Sequence, residues 1–200
     1  MRILYIIGLL LSLAQTPIQA QDSQTAHSIL LKTLNLIQNP GGAQLDYRLK
    51  VAIYSKHGHV VFKGNKFKRE SSKTIDWFDG KTYWTLSKSS NVCKIHLPKK
   101  QTDQNLASMM NAVRTGCEYR LADEGKSWRI RIKSLEKKSK LKEAEVIINK
   151  ANYAPMMLRV KLGFIWANIV FSQFRTGNYP DSMFYFDPRR YPNVKVVDKR

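Results

Sequence analysis

The stretch Leu45-Asp46-Tyr47-Arg48-Leu49-Lys50-Val51-Ala52-Ile53 decides the fold class of this chain. Large apolar residues occupy every second position, and Asp46, Arg48, Lys50 and Ala52 stand between them. Successive side chains of a β-strand point to opposite faces, so this period of two predicts a strand with one apolar and one solvated face. Such strands are typical of antiparallel sheets, which can bury one face and leave the other in water.

Further strands follow on the C-terminal side, separated by short turns. Thr74 to Phe78 and Thr82 to Leu86 flank Asp79-Gly80, a dipeptide that favours a tight hairpin turn. The other strand candidates are 60–68, 92–97, 128–132, 144–149, 155–162 and 164–174, with a last apolar pair at Val194 and Val196. We therefore expect about nine or ten strands in a meander, which favours one antiparallel sheet.

Two other segments have the apolar spacing of a helix instead of that of a strand. Gln24 to Gln38 carries apolar residues at helical spacing, and Asn39-Pro40-Gly41-Gly42 ends the pattern. Asp103 to Arg114 does the same, with Asp103 as a candidate N-cap. The sequence thus predicts a mainly β (α+β) fold, in which one curved sheet carries two helices on one face and leaves an apolar space beneath them.

The first twenty residues have the pattern of a secretory signal peptide. Met1-Arg2 is a short positive start, and Ile3 to Leu13 is an apolar run too short to span a bilayer as a helix. Ala20 is the predicted last residue before cleavage, and Ser12-x-Ala14 is a competing site. We therefore predict a signal peptide at 1–20 and a single exported domain at 21–200, with a retained N-terminal anchor as the alternative.

The chain is strongly basic. It has 200 residues, 34 Lys+Arg against 15 Asp+Glu, a formal net charge of +19 and a pI near 10.0. Such an excess usually meets nucleic acid, a membrane surface or an acidic polymer. Because an exported protein rarely meets nucleic acid, we expect none as a partner and favour anionic membranes. Hydrophobic residues at 43% exclude a disordered chain.

No pattern of a catalytic or metal site stands out. Glu124-Gly125-Lys126-Ser127 ends like a phosphate-binding loop but joins two predicted strands, so we interpret it as a hairpin turn. His57 and His59 share a strand face without a third metal ligand nearby. Ser134 and Lys137 would point to opposite faces of a strand. We therefore expect no enzyme, no metal and no cofactor.

Cys93 and Cys117 are the only two cysteines. An even number in an exported protein is compatible with a disulfide, and two separate buried thiols are the alternative.

The order of several motifs resembles the outer-membrane lipoprotein carrier (LolA-like) family, in the variant of Bacteroidetes-type envelopes. Gly64-Asn65-Lys66-Phe67-Lys68-Arg69 is followed by Trp77-Phe78-Asp79-Gly80-Lys81-Thr82-Tyr83-Trp84 and then by Val92 to Pro98. Near the C-terminus come Asn178-Tyr179-Pro180-Asp181 and Phe184-x-Phe186-Asp187-Pro188. The resemblance covers essentially all of residues 21–200.

The resemblance implies an incomplete antiparallel β-barrel closed by a helical lid over a hydrophobic cavity for lipoprotein acyl chains. Large apolar side chains on the sheet and the second helix are the candidate cavity lining, and an ordinary core is the alternative interpretation of the same residues. The candidates are Leu49, Val51, Ile53, Trp77, Trp84, Met109, Met110, Phe164, Trp166 and Phe171. The family's lid or release arginine corresponds best to Arg69, although Glu70 stands where the family has Pro.

The resemblance further implies a monomeric periplasmic carrier of a Gram-negative bacterium. Its partners would be acylated lipoproteins, an inner-membrane lipoprotein-releasing transporter, an outer-membrane acceptor and the anionic membrane surface. Two alternatives remain: a LolA-like carrier or sensor of another lipid or glycolipid, and a basic binder of acidic envelope polymer.

Overall fold

The computed structural model of the chain describes residues 18–97, 116–136 and 142–200. One α-helix, α1 (Ile18–Ile37), precedes a series of strands. The strands are β1 (Ala43–Val51), β2 (Tyr54–Lys63), β3 (Lys66–Ser71), β4 (Thr74–Phe78), β5 (Tyr83–Ser87), β6 (Val92–His96), β7 (Cys117–Asp123), β8 (Ser127–Ser134), β9 (Glu143–Asn149), β10 (Pro155–Leu162), β11 (Ile165–Thr176) and β12 (Lys195–Asp198). Two 3-10 helices, Asp181–Phe184 and Pro188–Arg190, lie between β11 and β12.

All these strands form one open, curved sheet in the order β12-β6-β5-β4-β3-β2-β1-β11-β10-β9-β8-β7. Every described pairing is antiparallel except that of β12 with β6, which is parallel. The mainly β fold with an antiparallel sheet is therefore confirmed. The expectation of two or more helices is not borne out, since the described residues hold a single α-helix and the predicted helix Asp103 to Arg114 lies outside them.

The sheet has two distinct faces, which the strand register defines. Directly paired residues share a face, so Leu49 faces the same side as its partners Lys56 and Ile169, and Lys50 the side of Ser55 and Asn168. We call the face of Leu49, which also carries α1, the inner face, and the face of Lys50 the outer face.

Helix α1 covers the β7–β9 part of the inner face. Its buried residues recur at helical spacing and pack on buried residues of β7, β8 and β9, as the amphipathic pattern predicts. They are Ala26, Ile29, Leu30 and Leu34 against Tyr119, Ile130, Ile132, Ala144, Val146 and Ile148. The hydroxyl of Thr33 donates to the Tyr153 carbonyl at 2.9 Å and fixes the helix to the β9–β10 turn.

The segment after β11 covers the outer face of β4–β6. Phe186 and Tyr191 pack edge-on against Trp77, with ring centroids 5.5 and 5.6 Å away. Asp181 joins the same segment to the sheet, because its carboxylate accepts hydrogen bonds from Lys63 at 3.0 Å and from Lys66 at 2.6 Å. A second core therefore lies on the side of the sheet away from α1.

One buried carboxylate connects three neighbouring strands on the outer face. Glu145 of β9 accepts hydrogen bonds from Arg129 and Arg131 of β8, both at 3.1 Å, and from Arg159 of β10 at 2.7 Å. Its side chain is 9% exposed. Buried charges persist in folded proteins when they are paired and hydrogen-bonded in this way.

Candidate functional site

The middle of the inner face carries apolar side chains that remain half-exposed. On β1 and β11, Leu49 pairs with Ile169, Val51 with Ala167, and Tyr47 with Phe171. We call Leu49, Val51, Ile169 and Phe171 the inner strip; all four side chains are half-buried. In the strand order the inner strip lies between the strands under α1 and those that carry Arg69. An apolar surface in this position can accept an apolar ligand.

A charged group borders the inner strip on the β3–β4 side. Arg69 and Asp76 are direct cross-strand partners, and the Asp76 carboxylate accepts from Arg69 Nε at 3.1 Å and from Nη2 at 2.9 Å. The Asp76 side chain is 5% exposed, whereas that of Arg69 is 38% exposed. Arg69 Nη2 also donates to the Tyr83 hydroxyl at 3.1 Å. The guanidinium therefore neutralises a buried carboxylate while part of it stays in contact with solvent.

The pKa of Arg69 reflects these neighbours. Burial acts to lower the pKa of the guanidinium, but Tyr83 and then Asp76 favour its charged form, and the net result is a raised pKa. Arg69 is therefore a permanent positive charge next to the inner strip.

Tyr47 connects Arg69 to the inner strip, and Gly58 makes room for it. Burial raises the pKa of Tyr47, and the positive charge of Arg69 works against that rise. A Cβ atom at position 58 would lie 2.9 Å from Tyr47 Oη and 2.2 Å from the Glu70 carbonyl oxygen. The absence of a side chain at Gly58 thus lets the Tyr47 ring lie across β2.

The structure separates the ten residues that the sequence suggested for the cavity. Leu49, Val51 and Phe171 lie on the inner face. Ile53 and Phe164 stand at hairpin turns with relative exposures of 104% and 102%, and therefore line no interior space. Met109 and Met110 lie outside the described residues.

The three tryptophans of the prediction lie on the outer face. Trp77 and Trp84 pair with each other across β4 and β5 and belong to the core beneath Phe186. Trp166 lies with Arg159 and Lys161, whose cationic groups are 4.9 and 5.8 Å from its ring centroid. The size of these tryptophans suggested that they line a cavity. The strand register, however, places smaller or more polar residues of the same strands on the inner face. The prediction did not foresee that the C-terminal segment would cover the outer face.

Several residues of the site were missed in the sequence. Asp76 stands in the apolar strand Thr74-Ile75-Asp76-Trp77-Phe78, where a carboxylate needs a buried cationic partner. If strands β3 and β4 are aligned as a hairpin about the turn at Ser72-Lys73, Arg69 stands directly opposite Asp76 and is the expected partner. Tyr47 and Ile169 follow from the strand period in the same way.

Cys93 and Cys117 are free thiols in this structure. Cys93 is fully buried on β6 and Cys117 half-buried at the start of β7, strands that stand second and last in the strand order. Of the two interpretations left open by the sequence, the structure has the separate thiols. Burial raises the pKa of Cys93 to about 11.

The part of the chain that the structure describes holds neither a metal-binding cluster nor a membrane-spanning helix. No group of three or more His, Cys, Asp or Glu side chains among them is arranged to hold a metal ion. No helix within residues 18–97, 116–136 and 142–200 has the length and apolar content that crossing a membrane would need.

Comparison with known proteins gives one match to a family model and several matches to solved structures. The model of the family "Outer membrane lipoprotein carrier protein LolA" matches residues 16–164. A search of curated proteins found no match.

An uncharacterized conserved protein from Thermus thermophilus is similar over 88% of this chain and 100% of its own, with 16% identity and a TM-score of 0.56. MucB is similar over 82% of this chain and 64% of its own, with 12% identity and a TM-score of 0.50. A LolA superfamily protein from Nitrosomonas europaea covers 81% of this chain and 98% of its own, with 11% identity and a TM-score of 0.44. At these identities the matches to the first two structures are evidence about the fold alone.

Proposed function

The chain belongs to the outer membrane lipoprotein carrier protein LolA family, and on that premise we propose that it carries acylated lipoproteins across the periplasm by holding their acyl chains against the inner face. The observation that carries the proposal is the inner strip: half-exposed apolar side chains at the centre of the sheet, on the face where α1 covers β7–β9. Binding and release of an apolar ligand need no covalent step, so the protein acts as a carrier rather than an enzyme.

The energetics of an acyl chain suit such a surface. Each buried CH₂ group contributes about 0.8 kcal/mol, so even a partly buried chain is held against diffusion into water. A carrier must also release its cargo. The four side chains of the inner strip are half-buried, so each offers only part of its apolar surface to a ligand. This limits the apolar area that one chain can bury there and keeps the affinity within a reversible range.

Arg69 is the residue that we assign to the control of release. Its ion pair with Asp76 holds it at the border of the inner strip, and its partial exposure leaves it within reach of a covering segment or of the cargo. In the family, an arginine here helps to hold or release a helical lid. The second predicted helix, Asp103 to Arg114, lies outside the described residues, and the role of Arg69 toward a lid is a prediction.

The remaining elements of the proposal follow from the family and the sequence. Residues 1–20 would direct export and be removed, and residues 21–200 would act in the periplasm as a monomer. An inner-membrane lipoprotein-releasing transporter would supply the cargo and an outer-membrane acceptor would receive it. Carriage of another lipid or glycolipid is the alternative, and identification of the bound lipid would distinguish it.

Photo-crosslinking at two adjacent positions tests the proposal. A photoreactive amino acid at Leu49 faces the inner strip, whereas the same amino acid at Lys50 faces the outer side of the same strand. Cells that express either variant with a lipoprotein carrying radiolabelled acyl chains are irradiated, and label on the carrier is measured. We expect crosslinks from position 49 and few from position 50. Equal labelling, or labelling from position 50 alone, would contradict the proposal.

A further inference from the structure

The three most exposed large apolar side chains of the described residues lie at the same end of the sheet. Ile53 in the β1–β2 turn and Phe164 in the β10–β11 turn have relative exposures of 104% and 102%, and Leu135 after β8 has 67%. Because β1 is the direct neighbour of β11, with Val51 opposite Ala167, the first two turns stand next to each other. Tyr54 and Ile165, exposed by 58% and 50%, start the strands that follow the two turns.

We call Ile53, Tyr54, Leu135, Phe164 and Ile165 the apolar rim. Single exposed apolar residues are ordinary, whereas several that adjoin one another mark a binding surface. Three turns at the opposite end of the sheet, Gly64-Asn65, Asp79-Gly80-Lys81 and Glu124-Gly125-Lys126, carry no large apolar side chain. Leu97 is also exposed at that end, by 61%. What distinguishes the apolar rim is the pair of fully exposed side chains, Ile53 and Phe164, in neighbouring turns.

Basic side chains flank the apolar rim on the side of strands β1 to β3. Lys50 and Lys56 flank the β1–β2 turn, and Lys73 lies in the adjacent β3–β4 turn. No carboxylate among the described residues forms a salt bridge with any of these three lysines, although Glu136 and Glu143 lie on the Leu135 side. With a net charge of +19 on the whole chain, the end of the sheet combines exposed apolar tips with free cationic groups.

We propose that the apolar rim inserts into the surface of an anionic lipid bilayer, with Ile53 and Phe164 entering the acyl boundary and the flanking lysines contacting lipid headgroups. This pairing of apolar tips with lysines is the pattern of peripheral membrane attachment. The rim is continuous with the inner strip through Val51, the last residue of β1. A membrane held at the rim would therefore lie at the end of the surface proposed for the cargo.

Vesicle flotation tests this inference. Processed protein recovered from the periplasmic fraction of expressing cells is mixed with phosphatidylcholine vesicles that contain phosphatidylglycerol, and with vesicles of phosphatidylcholine alone. We expect binding to the anionic vesicles, and a loss of about tenfold or more in the Ile53→Ser/Phe164→Ser variant. Leu97→Ser is the matched control, because Leu97 is 61% exposed but lies at the other end of the sheet. Its binding should equal that of the wild type.

Three results would overturn the inference: wild-type protein that fails to bind anionic vesicles, a rim variant that binds as well as the wild type, or an equal loss in Leu97→Ser. Self-association that the rim substitutions abolish, without vesicle binding, would assign the rim to a second copy of the chain instead. Urea unfolding of each variant checks the fold, and mass spectrometry checks that all variants have the same N-terminus. The vesicles carry no lipoprotein, so failure here would leave a cargo crosslink at Leu49 standing.

Discussion

Replacing Arg69 with Met should leave the Asp76 carboxylate buried without a partner. The carboxylate side chain is 5% exposed, and Arg69 provides both of its short cationic contacts, at 2.9 and 3.1 Å. Removing one partner from a fully buried ion pair costs about 3–5 kcal/mol. Because the Arg69 side chain is 38% exposed, water can partly hydrate the carboxylate in the variant, and we discount the loss to about 2–3 kcal/mol.

The assay is urea unfolding followed by tryptophan fluorescence, with thermal unfolding as a second measurement. For a chain of this size a loss of 2–3 kcal/mol lowers Tm by about 4–12 °C. Asp76→Asn alone should cost less, because the partly exposed guanidinium can turn toward water. The double variant Arg69→Met/Asp76→Asn should recover most of the stability lost in Arg69→Met, since it no longer buries a charge.

Two results would refute this reasoning: a loss below about 0.5 kcal/mol in Arg69→Met, or a double variant that shows no coupling between the two positions. The double variant also separates stability from release. If Arg69 controls the cargo as proposed, the double variant should be nearly as stable as the wild type and still release acyl chains abnormally.

Three further predictions concern other parts of the molecule. Gly58→Ala should destabilise the protein by about 1–3 kcal/mol in urea unfolding, because the added Cβ meets Tyr47 and the Glu70 backbone, whereas Ser55→Ala on the same strand should change little. Cys93 should resist thiol reagents at pH 8 until urea unfolds the chain, because a pKa of about 11 lowers its thiolate fraction roughly a hundredfold relative to an ordinary thiol; fast labelling of the native protein would contradict this. Hydrogen bonds from Lys66 and then Lys63 lower the pKa of Asp181, so its contribution is present above the ordinary carboxyl value and is lost as the pH falls through the lowered one. Pepsin should therefore cut the segment after β11 faster below about pH 4, and Asp181→Asn should remove that pH dependence.

Much of the fold could be predicted because its strands alternate regularly and their turns are short. The strand at Leu45–Ile53, the hairpin around Asp79-Gly80 and the first helix all follow from local periodicity. Helix α1 begins at Ile18, whereas the sequence predicted a start at Gln24. The ends of a helix are the feature that sequence periodicity predicts least accurately.

The candidate site could be predicted only in part, because the apolar pattern of a strand does not show which other segment of the chain covers each of its two faces. Leu49 and Val51 share a face because they stand two apart on one strand, as the period of two predicts. Trp77 and Trp84 were misplaced because a segment more than 100 residues later in the chain, around Phe186 and Tyr191, buries the other side of the sheet. Ile53 and Phe164 continue the apolar alternation into their turns, so the pattern could not distinguish a buried position from an exposed tip.

The three arginines around Glu145 affect the register in which strands β8, β9 and β10 pair. Side chains alternate between the faces, so a slip of β9 by one residue against β8 or β10 would turn Glu145 toward α1 and leave its charge without a partner. Apolar pairs such as Val146 with Ile130 tolerate displacement far better than a buried carboxylate does. The network therefore raises the free energy of sheets with a wrong strand register more than it lowers the free energy of the correct one. Its loss should be seen first as structural heterogeneity among β8, β9 and β10 rather than as a lower melting temperature.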